Sequence, residues 1–266
     1  MIPNEGLQSY IRSNGKCRHI ILIDPAEQEP EIAATRVIIA VEEGSKMVFV
    51  GGSTDTPDAI VHATCLAIQE ALELRVFAAS QQLDQDEDKW KIPVLLFPGG
   101  AHAISSAADG ITFIMLMNSK SRKWLIGEQL RGAPYLFKYG IEPISTGYIL
   151  CHPGGKVGEI GQAKLIMSDE TSLIRNYAIT AKMYGMSTIY LEAGSGAAVP
   201  VSKDLIQSAA EISDLTLIVG GGIKDGLAAA TAATAGADWI VTGSITENLT
   251  DNNLLRKLLK EVISAI

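Results

Sequence analysis

Tyr190 and Glu192 stand two residues apart in the segment YLEAGSG (190–196), so they project from one side of a strand while Leu191 takes the other. A carboxylate on the inner side of a buried strand is costly unless it binds something. Glu192 is therefore a candidate general base or hydroxyl orienter, with a structural ion pair as the plainer alternative. Ala193, Gly194, Ser195 and Gly196 follow as a loop with N–H and hydroxyl donors beside that carboxylate. Two further segments, LTLIVGGG (215–222) and WIVTGS (239–244), are short β-branched runs that stop at glycine. Bare backbone N–H groups at two successive strand tips make an anion cradle. Gly221, Gly222, Gly243 and Ser244 are thus expected to hold a phosphate, helped by the N-terminal dipole of a helix starting at IKDG (223–226). Tight turns alone would use the same glycines.

Asp24 ends the run LIDP, where Pro25 stops the strand. Its carboxylate either ligates a hard divalent cation such as Mg²⁺ or caps the following turn. Ser53, after Gly51 and Gly52, would complete a metal and diphosphate site beside it, or cap the helix that follows. The histidines His19, His62, His102 and His152 have no metal-ligand spacing and read as structural or solvent-facing, with a minor substrate contact left open for His102.

The candidate groups on Asp24, Ser53, Glu192 and the glycine tips all fall at the C-terminal ends of apolar runs, which lie at 19–24, 47–50, 94–97, 111–117, 144–152, 188–193, 216–219 and 239–242. Most of the eight runs are separated by segments of helical spacing, such as Ile60, Ala63, Ala67, Ile68 and Ala71, or Leu173, Tyr177, Ala181 and Tyr184. Buried strands with helical crossovers mean a parallel sheet, and eight units favour a (β/α)8 TIM barrel of the α/β class over an open doubly wound sheet. One domain spanning 1–266 is the simplest organisation, since no linker or composition shift divides the chain. Between the third and fourth strands only residues 98–110 are available, too few for a full crossover helix, so that flank is expected to be open enough for a long ligand. Residues 73–91, with QQLDQDEDKWK, read as a solvated extension or loop, and residues 251–266 as a closing helix.

Composition excludes several classes. The net charge of −8 with scattered acids argues against nucleic acid as a partner. No apolar run approaches membrane-span length, and the N-terminal segment lacks an export signal, so a cytoplasmic protein without a transmembrane segment is expected. Cys17, Cys65 and Cys151 are odd in number without a shared metal spacing, which reads as reduced packing residues.

Taken in order, LIDP, VGGST, LFPGG, MLMNS with WLIG, PGGKVGEIG, YLEAGSGAAVP, LIVGGGIKDG and AGADWIVTGS resemble the geranylgeranylglyceryl phosphate synthase family along nearly the whole chain. The resemblance implies a modified TIM barrel with no regular third helix. It also implies Mg²⁺-dependent prenyl transfer from geranylgeranyl diphosphate to the 3-hydroxyl of sn-glycerol 1-phosphate in archaeal ether-lipid synthesis, with a longer heptaprenyl donor in bacterial relatives. On this resemblance Asp24 and Ser53 match the metal positions. Tyr190, Leu191, Glu192, Ala193, Gly194, Ser195 and Gly196 match the glycerol-phosphate loop, with Glu192 engaging the hydroxyl, and Gly221, Gly222, Gly243 and Ser244 match the phosphate cradle. Three features depart from the family pattern: LIDPDK becomes LIDPAE, so that Ala26 and Glu27 remove a basic residue near the diphosphate, FPGN becomes FPGG, and the segment 73–91 is longer than usual. Phe97, Phe113, Met115, Met117, Trp124 and Tyr135 are candidate walls for the isoprenoid. Self-association as a dimer or hexamer and transient contact with a membrane surface complete the expectation. The competing readings are another phosphate-binding barrel enzyme, such as a sugar-phosphate isomerase or an amino-acid pathway synthase, the same reaction with a longer donor, and a non-catalytic barrel.

Overall fold

In the computed structural model the described residues are 6–12, 15–51, 56–82, 84–245, 247 and 249–266. Eight parallel strands close into a barrel in sequence order: β1 (Arg18–Ile23), β2 (Met47–Val50), β3 (Val94–Leu96), β4 (Gly110–Leu116), β5 (Glu142–Leu150), β6 (Thr188–Glu192), β7 (Thr216–Gly220) and β8 (Trp239–Thr242). Closure is made by β1 on β8, with Arg18 opposite Trp239 and Ile21 opposite Thr242. The helices are α1 (Leu7–Ile11), α2 (Pro30–Glu43), α3 (Asp58–Ser80), α4 (Glu128–Tyr139), α5 (Gly155–Ile160), α6 (Thr171–Met183), α7 (Lys203–Ala210), α8 (Gly226–Thr234) and α9 (Asn252–Ile263). None of the described helices is long and apolar enough to cross a membrane.

Strand alternation divides the core into two layers. Ile21, Ile23, Val48, Val50, Leu191 and Val219 face the helices, whereas Ile20, Phe49, Tyr148, Tyr190, Ile218 and Trp239 fill the lumen. Helix α1 stops the N-terminal end of that lumen, because Leu7 and Ile11 belong to the inner layer and Trp239 Nε1 donates to Ile11 O at 2.8 Å. The Arg18 guanidinium donates to the carbonyls of Tyr10 (2.7 Å), Ile11 (3.0 Å) and Arg12, and lies 3.8 Å from the Trp239 ring centroid. Replacing Arg18 with methionine strands these carbonyls. The expected cost is about 2 kcal/mol, a fall of roughly 4–8 °C in melting temperature, with turnover unchanged because the plug lies opposite the mouth. An unaltered melting curve would contradict this role.

The eight expected strands are present with ends shifted by at most two residues. No helix lies between β3 and β4. Residues 97–109 are instead pinned by side chains: the Asp58 carboxylate accepts from the amides of Ala103 (2.6 Å) and Ile104 (3.3 Å), and Glu128 accepts from Ala101 (2.7 Å). Three expectations are corrected. Residues 73–80 continue α3, since no glycine or proline interrupts that helix-forming run, and residues 87–90 form a single 3₁₀ turn whose Trp90 is buried beneath Arg75. The buried stripe of α3 is Val61, Cys65, Ile68 and Leu72, leaving Ile60 on the exposed side. The helix after IKDG is α8, starting at Gly226, and the Asp225 side chain caps it by accepting from Ala228 N at 2.8 Å, so a carboxylate already stands at the terminus expected to help hold an anion. His19 is structural as expected, bridging Ser45 (2.6 Å) and Thr242 (2.8 Å), and burial lowers its pKa to about 3. The three cysteines are free thiols.

Candidate active site

The strand tips converge on one cavity of about 390 Å³ at the C-terminal mouth of the barrel. Its lining includes Asp24, Tyr190, Glu192, Ser195, Gly196, Gly221, Gly222, Gly243 and Ser244. Ser53 lies outside the described residues. Leu191 and Ala193, also expected in the substrate loop, have their side chains fully buried in the layer beneath the helices, because alternation turns them away from the lumen. Gly194 serves the site through its amide, which donates to Glu192 Oε1 at 2.6 Å.

The glycines at the tips are required by close approach. A side chain at Gly220 would place Cβ 2.1 Å from the Tyr190 hydroxyl, and one at Gly221 would lie 2.2 Å from Glu192 Oε1. Gly221 and Gly222 also have φ of +79° and +74°, which turns the chain back across the mouth at no steric cost only for glycine. Gly51 meets the Phe97 carbonyl in the same way, with 1.8 Å available.

Beneath the tips lies an aromatic floor. Phe97 stacks on Phe49 at 5.3 Å and meets Tyr190 at 5.4 Å and the edge of Tyr148 at 5.9 Å; Tyr148 and Tyr190 meet edge-on at 5.1 Å. Glu192 stands on this floor with 5% of its surface exposed, and burial pushes its pKa up to about 7, offset in part by Tyr190 and the Gly194 amide. Burial, then the Glu192 charge, holds the Tyr190 phenol well above its ordinary pKa, so it remains a proton donor at neutral pH. Its buried hydroxyl lies beside Glu192 at the base of the cavity.

Opposite Glu192 the wall is acidic. Asp24 is half-buried, and its Oδ1 caps the following turn by accepting from Ala26 N at 2.9 Å while the residue still lines the cavity. Glu27 and Glu247 line the same cavity. Burial first, then Asp24 and Glu27, raise the Glu247 carboxyl, against a lowering by Arg36. The flank without a third helix is apolar: Phe97, Ile114, Leu116, Trp124 and Val157 line the main cavity there, and a smaller cavity of about 50 Å³ continues between Ile104, Ile111, Phe113 and Leu136. Of the expected walls Phe97, Phe113 and Trp124 are placed here. Met115, Met117 and Tyr135 pack into the outer layer instead.

Sequence reading missed Tyr148, Glu247, Glu128 and Lys156 as lining residues. Tyr148 shares the inward parity of Leu150 on β5 and could have been found from strand period, whereas Glu247 reaches the site only because β8 closes on β1.

The PcrB family profile matches residues 12–262. A geranylgeranylglyceryl phosphate synthase from Methanococcoides burtonii is 42% identical over 249 residues, covering 93% of this chain and 92% of that protein. Among solved structures, the wild-type enzyme of that kind from Thermoplasma volcanium superposes with a TM-score of 0.86 at 35% identity, covering 100% of this chain and 98% of the other. The (S)-3-O-geranylgeranylglyceryl phosphate synthase from Thermoplasma acidophilum, in complex with its substrate sn-glycerol-1-phosphate, superposes with a TM-score of 0.83 at 32% identity, covering 94% and 93%.

Proposed function

Because the chain belongs to the PcrB family, we propose that it is a geranylgeranylglyceryl phosphate synthase, joining sn-glycerol 1-phosphate through its 3-hydroxyl to geranylgeranyl diphosphate and releasing diphosphate. One observation carries the reading: a single cavity brings a buried carboxyl of pKa about 7 and two glycine strand tips together with an acidic wall and an apolar outlet.

The phosphate of the acceptor sits at Gly221, Gly222, Gly243 and Ser244, which leaves the glycerol hydroxyl over the floor near Glu192 and the Tyr190 phenol. Glu192 takes the proton of the 3-hydroxyl as that oxygen bonds to C1 of the prenyl group, and the C1–O bond to diphosphate breaks with its electron pair leaving on the diphosphate. A carboxyl poised near neutrality suits this transfer. Phe97, Tyr148 and Tyr190 present aromatic rings under the place where positive charge develops on the allylic carbon, an arrangement that favours a cation. Trp124, Ile114 and the smaller cavity take the isoprenoid, whose burial contributes roughly 0.8 kcal/mol per methylene.

Mg²⁺ fits the opposite wall. Asp24, Glu27 and Glu247 supply only hard oxygen donors, and among the described residues no three such groups form a ready-made cage. Hard carboxylate oxygens suit Mg²⁺, which takes one or two carboxylates and completes its shell with phosphate oxygens and water. When bound it supplies charge neutralisation for the departing diphosphate.

The test is incubation with Mg²⁺, sn-glycerol 1-phosphate and labelled farnesyl, geranylgeranyl or heptaprenyl diphosphate. The expected result is a lipid-soluble phosphate product, most abundant with the geranylgeranyl donor and abolished by EDTA. Absence of product with every donor would reject the reading, and preference for heptaprenyl would reassign the chain length.

A further inference from the structure

Among the described residues that line the cavity, five carry carboxylates, namely Asp24, Glu27, Glu128, Glu192 and Glu247, against the single ammonium of Lys156. Glu128 is already neutralised from outside, by Arg131 at 3.1 Å and Lys123 at 3.9 Å, so the imbalance falls on the wall of Asp24, Glu27 and Glu247. A cavity that takes two phosphorylated substrates needs positive charge on the side away from that wall.

The backbone that carries Lys156 is held against the acceptor loop. Gly154 N donates to Ala193 O at 2.9 Å, and a Cβ on Gly155 would lie 3.5 Å from Gly194 Cα and 3.9 Å from Ser195 O. Lys156 is the next residue, with an exposed side chain on a four-carbon stem. The other lysine near this loop, Lys224, reaches Gly196 O at 3.1 Å but does not line the cavity, whereas Lys156 does. From this placement we propose that Lys156 is a substrate-binding residue whose ammonium contacts a phosphoryl oxygen, either of the acceptor phosphate or of the donor diphosphate. The assignment rests on the functional reading above, since it takes the cavity to be a site for phosphorylated ligands.

Calorimetric titration of wild type, Lys156→Met and Lys156→Arg separates the two sources, using sn-glycerol 1-phosphate alone in one arm and inorganic diphosphate with Mg²⁺ in the other. Loss of one charge-assisted contact is expected to weaken one arm by about tenfold or more in Lys156→Met. The arm that weakens names the ligand, Lys156→Arg recovers most of the affinity, and melting temperatures stay unchanged. Affinities within twofold of wild type in both arms would overturn the assignment while leaving lipid synthesis intact. Lys156-dependent binding in a protein that makes no lipid product would uphold the assignment and overturn the functional reading instead.

Discussion

Glu192→Gln is expected to lower turnover by about 10²–10⁴-fold, the usual worth of a positioned general base, while affinity for sn-glycerol 1-phosphate changes little. Glutamine keeps the shape and can still accept from the Gly194 amide that now donates to Glu192 Oε1 at 2.6 Å. What it lacks is a carboxylate to take the proton. In the wild type the carboxylate form is the active one, so kcat/KM should climb with pH and level off above about 7, where burial has moved the Glu192 pKa. The variant should lose that limb.

The same substitution has an opposite effect on stability. The Glu192 pKa is raised in the fold from 4.5 to about 7, so the folded protein holds a proton that the unfolded chain has released between those values. Stability is therefore full below pH 4.5 and is drained as pH rises to about 7. A neutral glutamine avoids this, and the variant should be more stable than wild type at pH 8, by at most on the order of 3 kcal/mol on the shift of that size. Thermal melting across pH reads it. A variant that keeps full turnover, or a wild type with no limb near neutrality, would remove Glu192 from its role.

Gly221→Ala carries the second large effect. An added Cβ would stand 2.2 Å from Glu192 Oε1, 2.7 Å from Gly194 N and 2.8 Å from Ala193 N, and the backbone there has φ of +79°. Two of these neighbours are main chain in the acceptor loop, so a rotamer change alone cannot relieve the contact. The left-handed conformation costs about 1–3 kcal/mol for a non-glycine residue, and displacement of the Glu192 carboxylate by about 1 Å is enough for roughly 100-fold in rate. Turnover and melting temperature should fall together. Gly196→Ala is the control, because its φ of +68° is similar but nothing lies within 4 Å of the added atom. It should share the strain and spare much of the activity. Equal losses in the two variants would mean that strain, and not the approach to Glu192, makes glycine necessary at 221.

Local order along the chain determined a great deal. Apolar runs of strand length bounded by glycine, proline, aspartate or asparagine marked eight strands within two residues of their ends, and a period of two placed Tyr190 and Glu192 inward before any contact was known. The short interval after β3 announced the missing helix. These features follow from neighbours in sequence, through steric preference and side-chain parity.

Tertiary structure decided what surrounds them. Closure of β8 on β1 sets Glu247 near Asp24 and Glu27, which lie more than 200 residues away in the chain. The fold of the β5 loop against Gly194 brings Lys156 to the same mouth, and the Asp225 carboxylate caps the start of α8. Parity also sent the side chains of Leu191 and Ala193 outward, into the layer beneath the helices. The pKa of Glu192 belongs to this second class, because it depends on how completely the barrel excludes water, and a linear pattern of residues does not contain that quantity.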